Sequence, residues 1–65
     1  MKIFVNGKQA DTSAISLDLA LIELGFNSPA IATAINGIFV AATNRPDTVL
    51  LENDQLEVLA PMKGG

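Results

Sequence analysis

Cysteine and histidine are both absent from this sequence. Without cysteine there can be no disulfide, thiolate metal site, iron–sulfur cluster or thiol nucleophile. Without histidine, the commonest general base and the commonest nitrogen ligand for a metal are missing too. Asp, Glu or Lys could still serve an active site, but 65 residues leave little room for a pocket. Basic residues are scarce: Lys2, Lys8, Arg45 and Lys63 stand against seven acids, for a net charge of −3, and they are scattered along the chain. A nucleic-acid surface needs clustered cations to neutralise phosphates, so that function class is set aside. The acidity suits an encounter with a basic partner, and equally a solvated face that keeps a small protein soluble. Long apolar runs are also lacking. The longest, Ile38 to Ala42, falls far short of the roughly 20 residues a membrane helix needs. The apolar residues between Lys2 and Asn6 are too few for a signal-peptide core. The expectation is a soluble, cytoplasmic monomer that binds no metal or cofactor itself and serves as partner or substrate of other proteins.

What is present suffices for one domain. Apolar residues make up 49% of the chain, enough for a single core, although a chain this short buries only about 60% of its unfolded surface. Met1 to Val5 alternates as a strand, Ile3 and Val5 on one face, Lys2 and Phe4 on the other. Asn6-Gly7 is a type I′ hairpin signal, and Lys8 to Thr12 pairs back as an edge strand. Ser16 offers an oxygen to cap a helix over Leu17 to Leu24, with Asp18 in its first turn and Gly25 as its left-handed stop. Leu17, Ala20, Leu21 and Leu24 follow the spacing of a buried stripe. Leu19 and Ile22 lie off that stripe and are read as widening it rather than as a partner-binding face.

A third strand is expected from Ala30 to Ile35, a second hairpin turn at Asn36-Gly37, and a fourth strand from Ile38 to Ala41. Thr43 to Asp47 reads as a loop around Pro46, and Thr48 to Leu51 as either a helical turn or a strand fragment. Asn53 is the candidate for positive φ in the Glu52-Asn53-Asp54 turn. Gln55 to Ala60 is the last strand, Leu56 and Val58 inward, and Pro61 stops it. A hairpin followed by a helix buries its apolar face only if the helix folds across the sheet. The first and last strands have the best inward alternation and are expected side by side in the centre. The fold class is α+β, a β-grasp roll with a mixed sheet and one main helix across it. The domain is expected over 1–61, followed by a mobile tail over 62–65.

Met1-Lys2-Ile3-Phe4-Val5, the hairpin, the single helix and a last strand running into Gly64-Gly65 together resemble ubiquitin-like proteins. The closer resemblance is to the ThiS-type sulfur carriers of bacterial thiamine biosynthesis, within the ThiS/MoaD family. It is carried by Ala34-Ile35-Asn36-Gly37-Ile38-Phe39-Val40, by the acid-rich turn Glu52-Asn53-Asp54 and by Gly64-Gly65, and it covers the whole chain. The chain departs from the family pattern in two places. Ala41-Ala42 stands where many members have Pro-Arg, with Arg45 three residues too late to be the same group. Asn53 replaces the glycine of the acidic turn, in a conformation Asn also adopts.

The resemblance implies a carrier protein rather than an enzyme, working through the carboxylate of Gly65. An adenylating enzyme of the ubiquitin-activating type, using ATP and magnesium, would convert that carboxylate to an acyl-adenylate. Sulfur from a cysteine desulfurase, passed on as a persulfide, would replace AMP and leave a thiocarboxylate. Thiazole synthase would take that sulfur for the thiazole of thiamine. Glycines suit such a tail because, lacking a Cβ, they let backbone enter a narrow channel. At an average glycine usage of about 7%, a Gly-Gly end arises by chance in roughly 0.5% of chains. The alternatives weighed are the small subunit of molybdopterin synthase, which donates sulfur for the molybdenum cofactor, a conjugated protein modifier, and an inert β-grasp interaction module. Gly64, Lys63 and Met62 would enter the partner's channel. Phe4 and Leu59, facing away from the helix, are the candidate docking patch, with Phe39 as a third member. Phe4 has a second reading, as a ring partly covered by the segment from Thr43 to Asp47.

Overall fold

The computed structural model describes residues 1–60. Five strands and two helical segments follow in the order β1 (Lys2–Val5), β2 (Lys8–Asp11), α1 (Leu17–Glu23), β3 (Ala32–Ile35), β4 (Ile38–Val40), a 3-10 helix (Ala42–Asp47) and β5 (Gln55–Leu59). They form one sheet in the order β2-β1-β5-β3-β4. β1 and β5 run parallel, with Val5 opposite Leu56, and the other neighbours are antiparallel. The architecture is the expected β-grasp: a mixed sheet with one main helix, β5 in the middle and β1 beside it.

Both hairpins turn on Asn-Gly. Asn6 and Asn36 each have φ of 51°, followed by Gly7 at 84° and Gly37 at 83°. Positive φ at both central positions is what a type I′ turn requires, and its twist matches the strands it joins. Asn53 has φ of 70°, so the acidic turn keeps its left-handed residue without glycine.

The helix stops where the sequence predicts and starts by a different device. Gly25 has φ of 91°. Its N–H donates to the Ile22 carbonyl and that of Phe26 donates to the Leu21 carbonyl, the pair of bonds that defines a Schellman stop. At the other end Ser16 is extended and makes no side-chain cap. Its hydroxyl donates instead to Asp18 Oδ1 at 2.6 Å, while Ser16 bridges to Val49 in a short antiparallel contact. That contact decides between the two readings of Thr48 to Leu51: it is a strand fragment, and it carries Leu50 into the interior. Thr43 to Asp47, expected as a loop, belongs to the 3-10 helix, with Pro46 inside it. The tight 3-10 turn tolerates a proline that would cost an α-helix about 3 kcal/mol.

The core lies between α1 and one face of the sheet. Ile3, Leu17, Leu21, Ile31, Leu56 and Val58 are buried together, and Val5, Leu24, Phe26, Ile35 and Val40 pack around them. Each buried aliphatic side chain contributes on the order of 1.5–3 kcal/mol relative to exposure. Leu19 and Ile22 do not widen this stripe as expected: they are 50% and 66% exposed. A seven-residue helix over a narrow sheet buries one side only. No described helix is long and apolar enough to cross a membrane.

Candidate functional site

Among the described residues, no helix lies over the sheet's second face. Alternation sends Lys2 and Phe4 of β1, Gln55, Glu57 and Leu59 of β5, Ala32 and Ala34 of β3, and Phe39 of β4 to that face. On β5 the pattern is strict: Gln55, Glu57 and Leu59 are exposed while Leu56 and Val58 are buried. Phe39, whose facing the flanking Ile38 and Val40 leave ambiguous in the sequence, lies opposite Ala34. It therefore points away from the core, and is 68% exposed.

Leu59 is 70% exposed and lies opposite Ala32. Ala32 and Ala34 are small residues flanked by large ones, so they form the floor of a shallow depression between Phe39 and Leu59. Ala32, Thr33, Ala34, Phe39, Glu57 and Leu59 line it. The shape is a shelf for one or two apolar side chains, with the Glu57 carboxylate beside it.

Phe4 stands apart from this depression. Its β5 neighbour is Gln55, four residues from Leu59 and so about 13 Å away along the strand. The ring is half-buried, with Lys2 Nζ 5.6 Å from its centroid, within reach of a cation–π attraction. The Thr43–Asp47 segment does not cover it, because the 3-10 helix packs beside α1 on the opposite face. Phe39 and Leu59 are thus brought together, and Phe4 is a neighbour at the far end of the same face. Met62, Lys63, Gly64 and Gly65, like Pro61, lie outside the described residues, as does the expected boundary at 61.

Several working residues carried no pattern in the sequence. Arg45 donates from Nη2 to the Ile31 carbonyl at 2.8 Å and from Nε to Thr33 Oγ1 at 3.1 Å. The Thr33 hydroxyl donates onward to the Val40 carbonyl at 2.8 Å. Arg45 is therefore a brace that ties the 3-10 helix to β3 and β4. Asp54 is buried, accepting from Asn36 Nδ2 at 3.0 Å and from the Leu51 N–H at 2.8 Å. Asn36 Oδ1 accepts the Gln55 N–H at 2.9 Å. The Asn6 amide grips Val58 from the other side, Oδ1 accepting its N–H at 2.9 Å and Nδ2 donating to its carbonyl at 3.2 Å. The asparagines that make the two turns also hold the last strand. The Glu23 carboxylate accepts hydroxyls from Thr12 and from Ser13, which hold its pKa below the ordinary value. Among the described residues no buried side-chain donor or acceptor lacks a partner, and no group of acidic residues is placed to hold a metal ion.

No curated protein matches the chain. Among solved structures, the crystal structure of a thiamine biosynthesis protein, ThiS from Geobacter metallireducens, is similar with a TM-score of 0.83 at 23% identity, over 100% of both chains. At that identity the likeness shows the fold. The family model that matches is that of the ThiS family, over residues 3–65, and with that span matched this chain belongs to the ThiS family.

Proposed function

We propose that this protein is a sulfur carrier that works through the carboxylate of Gly65, with the open sheet face as its docking surface. The observation that carries the reading is the family match, which runs through β5 and on to Gly64-Gly65. The geometry supports it: Leu59, exposed on the docking face, is followed within a few residues by those glycines. A partner that seats a side chain beside Leu59 therefore has the chain end within reach.

A carboxylate is a poor electrophile and must first be activated. In the proposed sequence a carboxylate oxygen of Gly65 attacks the α-phosphorus of ATP, held with magnesium by an adenylating enzyme, and pyrophosphate leaves. The terminal sulfur of a persulfide attacks the acyl carbon and AMP leaves. A second thiol then cleaves the sulfur–sulfur bond and ends as a disulfide with the first, and a thiocarboxylate remains on Gly65. Thiazole synthase is the proposed acceptor of that sulfur, and a cysteine desulfurase its source. The bases and metal sites belong to those enzymes, since this chain has neither histidine nor cysteine.

The test is the intact mass after incubation with an adenylating enzyme, ATP and a persulfide source. Oxygen-to-sulfur exchange is expected on the full chain and is lost when Gly65 is deleted, with the thermal midpoint of the two proteins the same. A full chain that no such enzyme ever modifies would sink the reading.

A further inference from the structure

We infer that the open face reads an arginine: the partner lays a guanidinium on the Ala34 floor, its fork on the Glu57 carboxylate and its plane against the Phe39 ring, beside the apolar side chain that meets Leu59. The inference deepens the proposed function and rests on it.

The register places the parts. Glu57 lies opposite Ala34 on β3, and Ala34 lies opposite Phe39 on β4, so the three form one row across the sheet. Leu59 and Ala32 form the next row. Neighbouring strands are about 4.8 Å apart, which puts the Glu57 and Phe39 backbones about 10 Å apart with a single methyl group between them. Both residues are exposed and both line the depression. A group laid on Ala34 therefore meets a carboxylate on one side and an aromatic ring on the other.

Among the described residues, Glu57 is the unanswered charge of this face. Lys2 lies opposite Asp11, with its Nζ 5.6 Å from the Phe4 centroid. Lys8 lies opposite Val5 and so shares the helix-side face. Arg45 is spent on the Ile31 carbonyl and the Thr33 hydroxyl, and the N-terminal amine donates to the Thr12 carbonyl. A partner that covers Phe39 and Leu59 also takes water from Glu57, and a carboxylate desolvated without a partner costs more than the apolar contact returns. The partner must answer it with a cation. Arginine suits the row because its guanidinium is planar, forks onto a carboxylate, stacks on an aromatic face and is weakly hydrated. Lysine, a compact and strongly hydrated charge, would answer Glu57 and leave the ring unused. The net charge of −3 adds a long-range pull on the same kind of surface.

The test is a double-mutant cycle of Glu57→Gln and Phe39→Leu, read by calorimetry against the adenylating enzyme without ATP. Asp11→Asn is the control, removing the same charge from the far edge of the sheet, and thermal midpoints check that every variant is folded. Glu57→Gln is expected to bind about tenfold more weakly, the gap narrowing as salt rises, while Asp11→Asn binds as the natural chain does. Phe39→Leu keeps an apolar side chain and is expected to lose about threefold. Residues this far apart that share no partner group give losses that multiply, which would make the double variant about thirtyfold weaker. One guanidinium touching both makes it about tenfold weaker instead. Unchanged binding by Glu57→Gln, an equal loss in Asp11→Asn, or losses that multiply in the double variant would overturn the arginine. Conversion of the natural chain to the thiocarboxylate would then leave the carrier reading standing. A natural chain that is never bound and never converted would remove both.

Discussion

Leu56 and Leu59 are the same residue type three positions apart on one strand, yet the first is 1% exposed and the second 70%. The difference lies in which face of the sheet each one meets. On the helix side, Ile3, Leu56, Val58 and Thr33 are closed over by α1, and close packing leaves no slack there. On the open side, Leu59 and Phe39 flank two alanines and are largely exposed among the described residues. The open face keeps large apolar groups that the fold does not require, at positions where a charge would be more soluble. One strand therefore serves the core with its even-numbered residues, Leu56 and Val58, and leaves its odd-numbered ones, Gln55, Glu57 and Leu59, to the open face.

Four experiments would break or sharpen that division. Leu56→Ala should cost about 2–5 kcal/mol in denaturant unfolding, out of a total of about 3–10 kcal/mol for a chain of this length. Leu59→Ala and Phe39→Ala should each weaken binding to the adenylating enzyme about tenfold, measured by calorimetry, and change unfolding by no more than about 0.5 kcal/mol. If Leu59→Ala proved as destabilising as Leu56→Ala, the two faces would not be distinct. Ile22→Lys, on the outer side of the helix, should leave both affinity and stability within about 0.5 kcal/mol. A lost affinity there would move the docking surface to the helix.

The smallest effect is expected from Glu23→Gln, and it appears in the pH dependence. Hydroxyls from Thr12 and then Ser13 lower the Glu23 pKa in the folded protein. The folded state therefore binds this proton less readily than the unfolded one. The contribution is fully present above the unfolded value of about 4.3 and is lost as pH falls through the lower folded value. The gap in thermal midpoint between the natural chain and Glu23→Gln should thus be constant at neutral pH and close under acid. A gap that widened on acidification would reverse the assigned cause.

The strands, the helix stop and both turns were legible because each rests on a local rule. Alternation marks Ile3, Leu56 and Val58, and Asn-Gly and Gly25 mark positive φ. The strands are a residue or two shorter than the alternation suggests, β3 beginning at Ala32 rather than Ala30. Just before it, Ala30 N–H turns to Ser28 Oγ, a local bond that competes with pairing. What the sequence hid depends on tertiary placement. Exposure of Leu19 and Ile22 follows from how little of α1 the narrow sheet covers. The Arg45 brace needs the 3-10 helix folded back over β3, and no spacing along the chain encodes that. The amide bonds of Asn6 and Asn36 span many residues in sequence, so a reading that explains these asparagines by their backbone angles stops short of their side chains. Of the candidate site, Leu59 and Phe39 are brought together and Phe4 is set apart because β1 meets β5 four residues earlier.

The central place of β5 also bears on how the chain reaches its folded state. β2-β1 and β3-β4 are local hairpins that touch each other only through β5. Isolated two-stranded hairpins are marginal in water, so before residues 55–59 are available neither half has a sheet to join. The pairings that complete the fold, Val5 with Leu56 and Thr33 with Val58, join distant parts of the chain. Such contacts put folding towards the slower, topology-limited range. During synthesis the domain closes only after its last strand leaves the ribosome, and Glu57 and Leu59 arrive with that same strand. A chain stalled or cut before Gln55 lacks Leu56, Val58 and Leu59, and so has neither a complete core nor the shelf on the open face.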